Sequence, residues 1–253
     1  MWDRPLPLHG LDLDLDRQVG MLDQHLRLFI DELVVPIAPP ADRLAVHLDN
    51  PWYGPMDAHT LYAMLRRINP GRVLELGSGF SSLFIDLALE ANVARAATER
   101  ASHEIVDPFP SPVLSRLGSR VSVTAQSATS VDIERFTSLR SGDALVVDTS
   151  HVVRPGGEVV RIVLEILPEL ASGVVVHFHD IFLPYPYPRI FYDRYNVHWQ
   201  EQYLLGAFLA FNPRFTVELS NHALWRLRRD AVATLFPGLR EGMQPGAFWI
   251  VRT

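Results

Sequence analysis

The chain has 253 residues, a net charge of −6 and 48% hydrophobic residues, enough to bury one large core and without the basic excess that nucleic-acid binding shows. All 23 basic residues are Arg and there is no Cys, so lysine Schiff-base chemistry, disulfides, thiolate metal sites and cysteine nucleophiles are excluded. No apolar run reaches the length of a membrane span, and the opening Met1-Trp2-Asp3-Arg4-Pro5-Leu6-Pro7 does not resemble a signal peptide, so the expected location is the cytoplasm.

In chain order, Leu15, Val19, Leu22, Leu26, Phe29, Ile30 and Leu33 recur at helical spacing and predict one amphipathic helix that stops near Pro36. It belongs to an N-terminal extension over residues 1–50, expected to cover the sheet, to act as a lid, or to form a homo-oligomer contact. Pro39-Pro40 and Asn50-Pro51 mark a loop, and residues 57–68 read as a helix ended by Asn69-Pro70-Gly71. Short Val- and Leu-rich strands then alternate with helices: strands at 73–76, 104–107, 121–125, 144–148 and from 173 towards 180, helices after Gly79 and over 159–170 and 198–209. Strands at 215–219 and 247–251 close the series as a hairpin pair. Such alternation predicts an α/β fold, a doubly wound and mostly parallel sheet, in one domain over 51–253.

Within that series, Arg72-Val73-Leu74-Glu75-Leu76-Gly77-Ser78-Gly79-Phe80-Ser81-Ser82 reads as a buried strand, a glycine turn and a helix start. Gly77 and Gly79 permit positive φ and remove Cβ atoms where a ligand would touch backbone, and Ser81 or Ser82 is placed to cap the helix. Ser82 stands where a dinucleotide fingerprint has its third glycine, and a P-loop would need a lysine that the chain lacks. An open α/β sheet holds a nucleoside at such a turn, at the carboxyl end of its first strand.

Acids and imidazoles gather where strands end, the edge at which ligands sit in such sheets. Asp107 closes the second strand and is the candidate for ribose hydroxyls; Glu99 fits the usual sequence interval better, but Ile105-Val106 and Pro108 frame Asp107 as the strand end. Asp148-Thr149-Ser150-His151 follows the fourth strand and His177-Phe178-His179-Asp180 ends the fifth. Asp148, His179 and Asp180 form a donor set for a divalent cation, and two carboxylates at adjacent strand ends repel unless a cation or hydrogen-bond donors compensate. His151 is then free to serve as a base near neutral pH. His177 alone reads as a hydrogen-bonded core residue. Tyr185, Tyr187 and Tyr192, in a proline-rich loop after Asp180, are candidates for a substrate wall.

Glu75-x-Gly77-x-Gly79 resembles motif I of class I S-adenosylmethionine-dependent methyltransferases. The blocks at 106–110, 142–151, 164–168 and 176–188 are similar to a bacterial branch that modifies small molecules, over about residues 50 to 220. The resemblance implies a Rossmann-like seven-stranded sheet with its last strand antiparallel. It implies S-adenosylmethionine around Glu75, Gly77, Ser78, Gly79 and Asp107, with Gln126 and Ser127 on the adenine side. Asp148-x-x-His151 is also similar to a motif of metal-dependent sugar O-methyltransferases, in which the Asp binds magnesium and the His is the base; those enzymes carry Glu-Asp where this chain has His179-Asp180. The function expected from it is O-methylation of a small hydroxylated metabolite, with magnesium as the cation. Two other readings stay open: a non-haem metal oxygenase or hydrolase built on the His/Asp cluster, and a catalytically silent cofactor-binding partner subunit.

Overall fold

β1 (Arg72–Leu76), β2 (Ser102–Val106), β3 (Val121–Thr124), β4 (Ala144–Val147), β5 (Val175–Phe178), β6 (Phe215–Ser220) and β7 (Phe248–Arg252) form one sheet in the order β3-β2-β1-β4-β5-β7-β6. The protein is described here by a computed structural model covering residues 2–96, 101–118 and 121–253. β1 to β5 pair in parallel, whereas β7 runs antiparallel to both β5 and β6. This is the Rossmann-like, mostly parallel arrangement with an antiparallel last strand that the sequence led us to expect. β1 and β4 are buried almost throughout, which explains their uninterrupted apolar runs; β3, at the sheet edge, leaves Ser122 and Val123 exposed.

Helices cover both faces. On one, Pro55–Ile68 and Phe80–Ala96 pack together over Val73, Ala144 and Val146. The N-terminal segments Leu15–Met21, Leu22–Leu26 and Arg27–Glu32 run on as one helix with a wider turn at its centre, and add Leu22, Leu26 and Ile30 to this core. Each of these three side chains is almost fully buried and contributes roughly 1.5–3 kcal/mol. Gln18 on the same helix accepts from the Ser220 backbone N–H at 2.7 Å and donates to the Leu13 carbonyl, so the extension is also tied to the end of β6. On the other face, Ile162–Ile166 and Glu201–Leu209 pack with Phe178, Val217 and Ile250, joined by Leu6, Leu8, Leu11 and Leu13.

The chain order reverses between β1 and β4: β2 and β3 lie to one side, β5 to the other. Leu76 and Val147 are register partners, so the turn after β1 and Asp148 after β4 emerge side by side at the switch point.

Candidate active site

The turn after β1 is set by close backbone packing. Gly77 has φ +88°, and its N–H donates to the Val106 carbonyl at 2.9 Å, while Asp148 N–H donates to the Leu76 carbonyl at 2.9 Å. Ser78 Oγ donates to Asp107 Oδ2 at 2.5 Å and accepts from Ser111 N–H at 2.9 Å; Asp107 Oδ1 accepts from Phe109 N–H at 2.8 Å. Ser78, Gly79, Phe80, Ser81 and Asp148 thus line one side of a cleft of about 700 Å³. Its other walls are Phe109 with Ser111 to Val113 and, from the N-terminal part of the chain, Arg43, Leu44, His47, Asp49 and Pro51 to Tyr53. A cleft of this size holds a nucleoside-sized ligand with room beside it. Gly79 has open space where a Cβ would stand, so the turn offers bare backbone to the cleft.

Glu75 does not reach the cleft. It is fully buried and accepts from Ser81 Oγ at 2.7 Å and Ser82 Oγ at 2.8 Å, with His103 Nε2 at 2.9 Å. Its structural work is to fasten the first turn of the helix Phe80–Ala96 to the sheet. Ser82 Oγ accepts in turn from Gly79 N–H at 3.2 Å.

Beneath the cleft lies a charged cluster. Asp148, His179 and Asp180 offer ligand atoms that all lie within 4.8 Å of one another. His151 joins them: its Nε2 is 3.4 Å from Asp148 Oδ1 and 3.6 Å from Asp180 Oδ2. His179 Nδ1 is 3.6 Å from Asp148 Oδ2 and 3.7 Å from Asp180 Oδ2. Each imidazole turns its second nitrogen to a further buried carboxylate. His151 Nδ1 donates to Glu201 Oε2 at 2.7 Å, and His179 Nε2 lies 3.5 Å from Asp57 Oδ2. Tyr53 stacks on His179 with centroids 4.5 Å apart and meets His177 Nε2 through its hydroxyl at 3.0 Å. Both His151 and Asp180 take positive φ, +57° and +56°, where a non-glycine residue is uncommon and points to a functional constraint.

The electrostatics follow from these contacts. Burial opposes ionisation of Asp148, yet His179 and His151 outweigh it and hold the carboxyl well below its usual range. Burial likewise opposes protonation of His151, but its hydrogen bonds to Asp148 and Glu201 and the charges of Glu201 and Asp180 push it up to about 10. His179 is raised for the same reason, against its burial, by Asp180, Asp148 and Asp57. Asp180 is raised by burial and by its carboxylate neighbours. These contacts favour the protonated form of both imidazoles, whose positive charge offsets the carboxylates around them. His177 is pushed down to about 3 by burial and by His179, consistent with a neutral core residue bonded to Tyr53.

The other sequence candidates fall elsewhere. Tyr185 and Tyr187 are buried rather than set on the cleft: the Pro184, Pro186 and Pro188 loop folds back, placing Tyr185 under Arg226 at 4.1 Å and Tyr187 where its hydroxyl accepts from Gln202 N–H at 3.1 Å. This hides their apolar rings from water, so the wall expected from them is absent. Tyr192 is half-buried against Trp2 and His198. Gln126 is exposed, its N–H bonded to Thr124, and Ser127 is taken up by Thr129; neither is among the residues that line the cleft. Glu99 lies outside the described residues. Asp57, Glu201, Tyr53 and the 43–53 wall were not singled out, because each reaches the site from a helix or loop far away in sequence.

Comparison with known proteins supplies the last observation. Residues 74–181, which run from β1 through the His179-Asp180 end of β5, match the family described as Methyltransferase domain. An uncharacterized protein of Archaeoglobus fulgidus is 27% identical over 111 residues, 42% of this chain; the match spans about half of that relative, 47%. Among solved structures, the O-methyltransferase TomG from Streptomyces achromogenes, in complex with SAM, aligns over 93% of this chain and 89% of its own at 14% identity and a TM-score of 0.45. An O-methyltransferase from Bacillus cereus in complex with SAH aligns over 92% and 100% at 12% identity and TM-score 0.46. The SAH-bound methyltransferase PaMTH1 of Podospora anserina aligns over 97% and 90% at 16% identity and TM-score 0.41.

Proposed function

We propose, from the methyltransferase domain that spans residues 74–181, that this chain is an S-adenosylmethionine-dependent methyltransferase that O-methylates a small hydroxylated molecule. The observation that carries the reading is that the Ser78–Gly79 turn and Asp148 line one cleft, with His151 Nε2 aimed at Asp148 from below. S-adenosylmethionine, when bound, supplies an electrophilic methyl group on a sulfonium. The open backbone at Gly79 and the Ser78–Asp107 pair fit its phosphate-free nucleoside and would hold it, with Asp107 toward the ribose. The acceptor would lie against Leu44, Pro51 and Trp52, a wall outside the matched domain, with residues 51–253 as the catalytic unit and 1–50 as its cover.

His151 would accept the acceptor's hydroxyl proton at Nε2, leaving the oxygen to take the methyl group. The two carboxylates and one imidazole of Asp148, His179 and Asp180 fit a hard or borderline divalent cation such as magnesium, which would supply charge to lower the hydroxyl pKa. Asp148, His179 and Asp180 would hold that cation, and His151, kept out of this donor set, would be left to take the proton.

The test is calorimetry of S-adenosylhomocysteine on chelator-treated protein, with and without magnesium. Micromolar or tighter binding is expected. No binding in either condition would overturn the reading. With an acceptor in hand, His151→Ala should keep that affinity and lose most turnover; near-normal turnover would remove His151 from the mechanism.

A further inference from the structure

Four carboxylates surround the two imidazoles, and one of them differs from the rest. Asp57 is fully engaged: it accepts from Gly246 N–H at 2.9 Å, Ala247 N–H at 2.9 Å and Asn221 Nδ2 at 2.8 Å, and so straps the segment before β7 to the helix Pro55–Ile68. Asp148 and Asp180 face each other across the imidazole nitrogens at the cation site. Glu201 is completely buried, and its carboxylate has His151 Nδ1 as its only hydrogen-bond partner among the described residues; Oε1 has none. A buried carboxylate with one oxygen unsatisfied is costly, and a buried ion pair of this kind is a poor device for stability.

We propose that Glu201 is a positioning residue for His151, which directs Nε2 to the acceptor oxygen by fixing the proton on Nδ1. The inference rests on the reading of His151 as the base. The segment Trp199-Gln200-Glu201 grips His151 at three places. The Trp199 ring lies against the imidazole with centroids 4.3 Å apart. The His151 carbonyl accepts from Gln200 N–H at 3.0 Å and Glu201 N–H at 3.2 Å, which holds the backbone at its positive φ. Glu201 Oε2 then takes Nδ1 at 2.7 Å. Ring plane, main chain and donor nitrogen are all set by one helix start, so the imidazole has no freedom to present Nδ1 to the cleft. Which ring nitrogen carries the proton is set by the hydrogen bond that the other makes, and a base is commonly oriented by such a third group.

The experiment compares wild type with Glu201→Gln, which keeps shape and removes charge, and uses His151→Gln to assign the imidazole signal. Proton NMR of the wild type is expected to show a strongly downfield ring N–H that is absent in His151→Gln and moves upfield in Glu201→Gln. In turnover, Glu201→Gln should lower kcat about 10- to 100-fold while the acceptor KM and S-adenosylhomocysteine affinity stay within about twofold. Glu201→Asp, which withdraws the charge by one methylene, carries the same test if Glu201→Gln does not fold. A His151 resonance unmoved by either substitution, or a loss confined to KM and melting temperature, would overturn the inference. If the wild type fails to bind S-adenosylhomocysteine, the methyltransferase reading falls by itself, because the resonance still reports the clamp.

Discussion

Gly77 and Asp148 are in backbone contact: a Cβ built on Gly77 would stand 1.8 Å from the Asp148 carbonyl oxygen. The glycine is therefore required twice, for its φ of +88° and for the space that the neighbouring strand end occupies. Gly77→Ala should separate the turn from Asp148 at a cost on the order of 1–3 kcal/mol. Both the melting temperature and the S-adenosylhomocysteine affinity are expected to fall. Gly79→Ala, which adds a methyl where nothing lies within 4 Å, should lower affinity alone. Wild-type values for Gly77→Ala in both measurements would show that the strand end yields.

Asp148 sits between two imidazoles, which hold its carboxyl well below the usual range. Asp148→Asn keeps the volume and removes the charge. Any magnesium dependence of cofactor-product binding or turnover should disappear in this variant, and a magnesium titration read by calorimetry checks it. An unchanged metal response would remove Asp148 from the ligand set.

Trp52 is 75% exposed on the wall of the cleft, where its ring offers a flat apolar surface. Truncation there should cost the fold little. For Trp52→Ala we expect a severalfold rise in acceptor KM with S-adenosylhomocysteine affinity unchanged. Equal losses in both would place Trp52 on the cofactor side of the cleft.

His222 is buried beside Arg226, and burial followed by that guanidinium pushes its pKa down to about 4. The native state holds it neutral, while the unfolded chain takes up a proton below about pH 6.5. Protons bound only by the unfolded state favour unfolding, so this group's contribution to stability is lost as pH falls from about 6.5 to about 4. Urea midpoints at pH 7 and pH 4.5 should therefore differ less in His222→Gln than in the wild type. An identical pH dependence in the two proteins would exclude His222 as a source of acid sensitivity.

The central parallel strands β1, β4 and β5 were legible because they are buried on both faces and so read as apolar runs. Val73–Leu76 and Ala144–Val147 are the clearest cases. The short helices Arg189–Asp193 and Asn221–Leu227 were not predicted: neither has the length over which an apolar period becomes visible. At the site, Asp148, His151, His179 and Asp180 were legible from their places after β4 and β5. Glu201 was not, since fifty residues separate it from His151 and it lies in a helix that otherwise reads as core. Asp57 read as the opening acid of a helix for the same reason. The tyrosines misled because an aromatic, proline-rich loop next to a site satisfies the pattern of a wall whether its rings face outward or, as here for Tyr185 and Tyr187, inward.

β7 follows β6 in the chain yet lies between β5 and β6 in the sheet. Val175–Phe178 therefore has an open edge until residues 248–252 arrive, some seventy residues later in the sequence. During folding that edge is an apolar template with unpaired amides, of the kind that recruits strands from other molecules. Closing it takes a contact of long sequence separation, the kind of pairing whose loop-closure entropy slows folding.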